Sequence, residues 1–203
     1  MAGDVPAAAL EPEGDYDGES FAGADLSGAQ AGNARFIGCS FTDCRLDGTE
    51  LGRARLVDCS FSAVRATELD LREASLLDVG WEGSRLGAVR AYGSELTRVR
   101  FSGGKIDYAN LRGATLVDVA FVGTVIGELD LGSATATRLR FEDTRVDRLN
   151  VTGATLSAVD LRGVDLRALD GLAGLAGATI SQSQLLDLGP AMAAHLGLTV
   201  RGG

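Results

Sequence analysis

The chain has 203 residues, of which 45% are hydrophobic and 23% charged, with 28 glycines and three prolines. This length suffices for one well-buried domain, and no apolar run approaches the ~20 residues that cross a bilayer. The odd number of cysteines, three, disfavours a disulfide framework and favours a reducing compartment. We therefore expect a cytoplasmic protein without a membrane segment.

The N-terminal segment is acidic. The formal charge is −9, and residues 1–19 supply −6 of it, because six acidic residues stand there without a Lys or Arg. Such a composition is typical of disorder, so we predict a disordered acidic tail over residues 1–18. The segment also lacks the positive and apolar regions of a secretory signal peptide, which agrees with a cytoplasmic location.

From residue 21 to residue 166 every fifth residue is apolar. All thirty positions follow this rule, whereas a chain that is 45% hydrophobic would supply about half of them by chance. The residues two positions earlier are almost all small or aliphatic, and the other three of each five are polar, charged or glycine. Neither the helical period of 3.6 nor the strand period of 2 gives this pattern. It predicts a chain that turns a corner every five residues, with one large and one small side chain inward.

Four such corners close a square turn of twenty residues, and the aromatic residues repeat at that spacing. We predict that their rings stack as a core ladder along one wall: Phe21, Phe41, Phe61, Trp81, Phe101, Phe121 and Phe141. Successive turns are expected about 4.8 Å apart, the spacing of hydrogen-bonded strands. Residues 19–170 are therefore predicted to form an all-β solenoid, a quadrilateral parallel β-helix of about 7.5 turns.

Several segments of this region resemble a known repeat. GADLSG, YANLRGATL and AVDLRGVDLRALD look like the A-(D/N)-L-x-x units of the pentapeptide repeat family. The resemblance covers about residues 19–170 and implies a right-handed quadrilateral β-helix. The best-studied members of that family occupy the DNA groove of DNA gyrase and protect it from quinolones. The ending MAAHLGLTVRGG also resembles the tail of mycobacterial pentapeptide proteins that bind gyrase, where the C-terminal region supports dimerisation.

The three cysteines fall in the small inward positions of the repeat. Cys39 and Cys59 are expected one above the other, with Cys44 on the neighbouring wall. Buried cysteine commonly behaves as a small apolar residue, and a zinc site would need a fourth ligand. We predict that all three are structural; a disulfide between Cys39 and Cys59 is within reach but is not needed to close the turns. We expect no metal, no cofactor and no catalytic residues.

One outer row of the predicted solenoid is basic. It precedes the inward residues of one wall and consists of Arg45, Arg65, Arg85 and Lys105, with Arg145 two turns further on. Such a row could meet an anionic surface. The alternative, which we favour, is local pairing with Asp43, Asp47, Glu68 and Asp107.

A second outer row is apolar. It follows the inward residues of another wall and contains Ile37, Val57, Leu77 and Val117, with Thr97 and Thr137 in the same line. A contiguous exposed apolar strip often marks an interface. β-branched residues also suit stacked strands, and the N-terminal tail could cover them. Both interpretations stay open.

The five-residue register ends after Asp170, and residues 171–203 are predicted to form a C-terminal cap that could support a homodimer. Ser181 with Gln184 has the S-x-x-Q capping pattern of a first short helix. Pro190 suits the first position of a second helix, and Gly197 suits its stop, before a closing strand. His195 is expected near the end of that helix, where its charge is favourable. A cap is needed because stacked turns expose strand edges at their end.

The sequence favours a non-catalytic rod that binds proteins through its outer walls or its cap. The alternative is a DNA mimic that binds DNA gyrase or another type II topoisomerase. B-DNA carries about 21 negative charges over ~36 Å, whereas residues 20–169 hold 20 acids against 18 bases. Local acids could still mimic a short stretch of DNA: Asp43, Asp58, Asp78 and Asp118. No direct contact with nucleic acid or with a membrane is expected.

Overall fold

The structure, a computed structural model, describes residues 10–201. Three parallel sheets, one 3₁₀ helix and one α-helix make up the elements of these residues, and the strands are numbered β1 to β24 in chain order. No helix in the described range is long and apolar enough to span a membrane.

The first sheet forms what we call the first wall. Its strands stack in the order β1 (Asp15–Asp17), β3 (Arg35–Ile37), β6 (Arg55–Val57), β9 (Ser75–Leu77), β12 (Glu95–Thr97), β15 (Thr115–Val117), β18 (Thr135–Thr137) and β21 (Thr155–Ser157).

The second sheet forms the second wall. Its strands stack in the order β2 (Ser20–Ala22), β4 (Ser40–Thr42), β7 (Ser60–Ser62), β10 (Gly80–Glu82), β13 (Arg100–Ser102), β16 (Ala120–Val122), β19 (Arg140–Glu142), β22 (Val159–Asp160) and β24 (Ala178–Thr179).

The third sheet forms the third wall and continues around the corner towards the fourth. It contains β5 (Thr49–Glu50), β8 (Arg65–Asp70), β11 (Arg85–Arg90), β14 (Lys105–Asn110), β17 (Val125–Asp130), β20 (Thr144–Asn150) and β23 (Val164–Asp170). The fourth wall is the row of turns whose inward residues are Ala31, Leu51, Leu71, Ala91, Leu111, Leu131 and Val151.

The pairing register is twenty residues from β1 to β23, whereas β24 pairs with β22 at an offset of nineteen. Trp81 lies opposite Phe61 on one side and Phe101 on the other, and the other two sheets keep the same offset. The predicted parallel β-solenoid is therefore confirmed. The eight strands of the first wall give eight turns, slightly more than the predicted 7.5.

The additional half turn comes from residues that the sequence analysis placed in the acidic tail. Strand β1 pairs with β3, and the ring of Tyr16 stacks on that of Phe36 at a centroid distance of 4.8 Å. Leu10 is buried as well. The solenoid thus starts before residue 19, because Tyr16 continues the fivefold apolar series while the acidic residues around it face outward. The rest of the predicted tail, residues 1–9, lies outside the described residues.

The corners depend on residues with left-handed backbone conformation. Along the corner that follows the first wall, these residues have φ between 53° and 57°: Asp58, Asp78, Arg98, Asp118 and Arg138. Glycine, Asn and Asp adopt this region most readily, which explains their frequency at the second position after each inward apolar residue. An L-residue held there turns the chain sharply enough to start a new wall.

The Asp and Asn of the A-(D/N)-L units stabilise the turns of the fourth wall. In each such unit the side-chain oxygen accepts a hydrogen bond from the backbone N–H two residues later. The pairs are Asp70 with Arg72 (2.9 Å), Asn110 with Arg112 (3.2 Å), Asp130 with Gly132 (2.9 Å) and Asn150 with Thr152 (3.0 Å). This is the Asx turn, which Asp and Asn favour because of their short side chains.

The cap differs from the sequence prediction of two helices and a closing strand. A 3₁₀ helix (Leu172–Leu175) and β24 precede a single helix, α1 (Gln182–His195), which begins with the predicted capping box at Ser181. Pro190 lies inside α1 and not at the start of a second helix, so the helix lacks one backbone hydrogen bond there. His195 is in the last turn and Gly197 follows with a φ of 70°, but residues 196–201 contain no strand.

Candidate interaction surfaces

The core ladder lies inside the second wall. Neighbouring rings are nearly parallel, with interplanar angles of 3° to 12°. Six of the seven rings are buried, whereas Phe101 is half-buried. Trp81 is the exception in size: its centroid is 3.9 Å from Phe61 but 6.1 Å from Phe101. The aromatic rings thus fill the interior along the second wall.

The N–H group of the Trp81 indole also lacks a hydrogen-bond partner. Its Nε1 is the one buried side-chain nitrogen or oxygen that lacks a hydrogen-bond partner within residues 10–201. A cavity of about 20 Å³ lies beside Trp81 and Phe101. Because the phenyl rings above and below offer no acceptor at the edge of the indole, its N–H is left unpaired. The ladder therefore has a local defect at this turn.

The cysteines occupy the small inward positions. All three are buried, and each thiol donates to a backbone carbonyl of the preceding turn: Cys39 to Tyr16 (3.4 Å), Cys44 to Phe21 (3.1 Å) and Cys59 to Phe36 (3.5 Å). Thr49 and Thr144 make the same contact with their hydroxyl groups. The hydrogen bond to Cys39, together with burial, raises the pKa of the Cys59 thiol. Within the described part of the chain no three His, Cys, Asp or Glu side chains form a group that could hold a metal ion.

The apolar strip lies on the outside of the first wall. Ile37, Val57, Leu77 and Val117 stack in register on their neighbours above and below, and all four are half-buried. None of them is among the exposed large apolar residues of the described range. This geometry favours the stacking interpretation of the strip over a free binding patch.

Two of the acids that could mimic DNA are neutralised by arginines. Arg98 binds Asp78 with two hydrogen bonds of 2.5 and 2.6 Å, and Arg138 binds Asp118 in the same way. These hydrogen bonds from the guanidinium groups lower the pKa of both carboxyl groups. Asp43 and Asp58 form no ion pair with any residue between 10 and 201. Of the four predicted DNA-mimicking acids, two are therefore charge-compensated.

The basic row lies on the outside of the third wall, and its members differ. Arg45 pairs with Asp47 at 2.9 Å, and Lys105 pairs with Asp107 at 2.6 Å, as the pairing interpretation requires. Glu68 binds Arg90 instead. Arg65 and Arg85 are exposed and form no ion pair with the described residues. Local pairing thus covers the two ends of the row and leaves its middle uncompensated.

Most of the apolar exposure is at the cap. Among residues 10–201 seven large apolar side chains are exposed, and five of them belong to α1 or the residues that follow it: Leu185 (48%), Leu186 (72%), Leu196 (70%), Leu198 (61%) and Val200 (78%). No residue of α1 is buried. One side of the helix contacts the last turn, where Gln184 donates to the carbonyl oxygens of Leu161 (2.7 Å) and Val164 (3.0 Å).

The comparisons with known proteins agree with this geometry. Residues 34–111 match the sequence model of the family described as pentapeptide repeat region. These residues thus have the sequence pattern of a pentapeptide repeat region. The strands described above extend the repeat on both sides of the matched residues. A comparison with curated proteins gives no match.

Two of the solved structures that match this chain are those of HetL, a pentapeptide repeat protein, and QnrB1. HetL, involved in heterocyst differentiation regulation in the cyanobacterium Nostoc sp. strain PCC 7120, is 20% identical over 84% of this chain and 91% of its own, with a TM-score of 0.48. QnrB1, a plasmid-mediated fluoroquinolone resistance protein, is 18% identical over 93% of this chain and 94% of its own, with a TM-score of 0.38. At such values neither structure assigns a function here. The resemblance of the C-terminus to mycobacterial gyrase-binding proteins stays a prediction.

Proposed function

We propose that this pentapeptide repeat protein is a non-catalytic rod that acts by binding other protein chains, one of which is a second copy bound through the cap. The observation that carries the proposal is the concentration of exposed apolar side chains on α1 and residues 196–200. A concentration of exposed apolar side chains often marks an interaction site.

The charge distribution favours a second copy as the occupant of the cap. Residues 170–203 contain only Asp170 and Asp187 against Arg201, a net charge of −1, whereas residues 1–19 carry −6. Two copies that meet at their C-terminal ends therefore experience the least electrostatic repulsion. Asp187 is the one Asp, Glu, Lys or Arg residue of α1, and a two-fold interface needs only a self-complementary surface.

The mass of the particle in solution tests this proposal. At 100° per residue, Leu186 and Ala191 point to different sides of α1, and both are exposed. We expect wild type to be a dimer by light scattering, Leu186→Lys to be a monomer of 21.0 kDa, and Ala191→Lys to remain a dimer. A monomeric wild type, or an equal effect of both substitutions, contradicts the cap interface.

DNA mimicry is the alternative that the family resemblance implies. The pairing of Asp78 and Asp118 with arginines weighs against it, since a duplex presents uncompensated phosphates. We expect the protein at micromolar concentration neither to inhibit DNA gyrase supercoiling nor to protect the enzyme from a quinolone. Inhibition or protection would favour the mimic over the scaffold.

A further inference from the structure

The ion pairs of the basic row follow a simple rule. Where the residue two positions later in the chain is Asp, the cation pairs with it: Arg45 with Asp47 (2.9 Å), Lys105 with Asp107 (2.6 Å) and Arg145 with Asp147 (2.8 Å). After Arg65 that position is Thr67, and after Arg85 it is Gly87. These two arginines are therefore the members of the row without a counter-ion.

Arg65 and Arg85 also face each other. They are register partners in β8 and β11, so their Cα atoms lie on strands about 4.8 Å apart. Like charges directly opposite on neighbouring strands are destabilising. Nothing in residues 10–201 relieves this repulsion with an ion pair.

Other arginines without an ion pair are in a different situation. Arg55 has Arg35 and Ser75 as register partners, and Arg35 is neutralised by Asp15 at 2.8 Å. Arg100 lies between Gly80 and Ala120 and donates to Ser102. Two register-paired arginines that both lack an ion pair therefore occur on the third wall and not at these sites.

The surface beside the two arginines is open. Gly87 has no side chain, and none fits, because an added Cβ would lie 2.3 Å from the carbonyl oxygen of Thr67. The backbone N–H of Thr67 is already bound by Asp47 at 2.7 Å. Because position 87 has no side chain and both arginines are exposed, the N–H groups of their guanidinium groups are accessible from outside.

We propose that Arg65 and Arg85 bind an acidic segment of another protein, whose carboxylates supply the missing counter-ions. This inference adds a binding site to the proposed function, and it shares with that function only the premise that the rod binds proteins. Arginine recognises carboxylates through paired hydrogen bonds, and acidic side chains one helical turn apart are separated by about 5–6 Å, close to the strand spacing. A duplex is a poorer occupant, because a chain of net charge −9 repels a dense polyanion.

A labelled peptide tests the site directly. The probe is a helical peptide with two Glu residues at positions i and i+4, and its control is the same peptide with Gln. Fluorescence anisotropy at low salt should show binding of the Glu peptide that weakens as salt is added. The double variant Arg65→Gln, Arg85→Gln should lose about tenfold in affinity, as expected for charge-assisted contacts. The matched variant Arg55→Gln, Arg100→Gln should bind like wild type.

Three results would overturn the inference. One is equal binding of the Glu and Gln peptides, the second is an equal loss in both double variants, and the third is tighter binding of a DNA duplex than of the Glu peptide.

A readout independent of the probe is thermal stability. Arg85→Gln should raise the melting temperature at low salt, because it removes the repulsion from Arg65, and this gain should disappear at high salt. A lower melting temperature than that of wild type would contradict the repulsion between the two arginines. Light scattering of the same samples reports on the cap interface separately.

Discussion

The ring centroids of Trp81 and Phe101 lie 6.1 Å apart, the widest step of the second-wall ladder, in which the other steps measure 3.9 to 5.3 Å. The indole sits close to Phe61 and leaves Phe101 partly exposed. A side chain larger than its neighbours has thus been placed in a position built for phenylalanine, and its N–H has no acceptor there.

The first prediction concerns this defect. Trp81→Phe should leave the free energy of unfolding unchanged or raise it by about 1–2 kcal/mol, because it removes a buried unsatisfied donor and evens the ladder. Phe121→Ala, in an evenly packed part of the ladder, should cost about 3–5 kcal/mol. Urea unfolding followed by circular dichroism measures both. A loss of more than about 1 kcal/mol in Trp81→Phe would show that the indole fits its site.

The second prediction concerns the close approach of two turns at Gly87. Gly87→Ala should destabilise the protein by about 1–3 kcal/mol, because its Cβ would lie 2.3 Å from the carbonyl oxygen of Thr67. Gly80→Ala is the matched control, since a Cβ there meets no atom within 4 Å. Its effect should be neutral or slightly stabilising. Equal stability of the two variants by thermal unfolding would contradict the geometry of the third wall.

The third prediction concerns acid stability. Ion pairing with Arg98 lowers the folded-state pKa of Asp78 below the usual value of 3.8, and Arg138 does the same for Asp118. A depressed folded-state pKa contributes stability above the unfolded pKa, and this contribution is lost as pH falls through the folded one. Wild type should therefore lose stability below about pH 4.

Asparagine variants isolate this effect. The double variant Asp78→Asn, Asp118→Asn should be less stable than wild type at pH 7 and closer to it at pH 2, because the ion pairs contribute only at the higher pH. Asp58→Asn is the control, since Asp58 has the same corner conformation, with φ of 54°, but no ion pair to residues 10–201. Melting temperatures across this pH range provide the measurement. A constant difference between the double variant and wild type would speak against the linkage.

The fourth prediction concerns the apolar strip. Leu77→Thr should cost at most about 1 kcal/mol and leave the mass of the particle unchanged, because Thr97 already occupies the same row one turn above. The strip then acts through strand stacking rather than as an interface. A change in mass by light scattering, or loss of a protein captured by wild type, would restore the interface interpretation.

Much of the fold could be predicted because the solenoid repeats one five-residue rule. Tyr16 continues the fivefold series, but the acids around it give residues 1–18 the composition of a tail. Pro190 favours a helix start by its residue type, but the structure has it inside α1.

The candidate surfaces were less predictable. The periodicity places Trp81 in the ladder but does not show that an indole is too large for the step to Phe101. The basic row did carry a usable signal, since Asp47 and Thr67, two residues after Arg45 and Arg65, distinguish the paired cation from the unpaired one. The exposed leucines of the cap depend on how α1 lies on the last turn, which no repeat in the sequence encodes.

Small-angle X-ray scattering of wild type tests the account most directly, because it measures length as well as mass. Eight turns at about 4.8 Å give one rod of roughly 38 Å, to which the cap adds. Two copies joined cap to cap should form a particle of twice the 21.0 kDa chain mass and about twice the length of one chain. A particle with the mass of one chain, or a dimer no longer than one chain, would contradict binding through the cap.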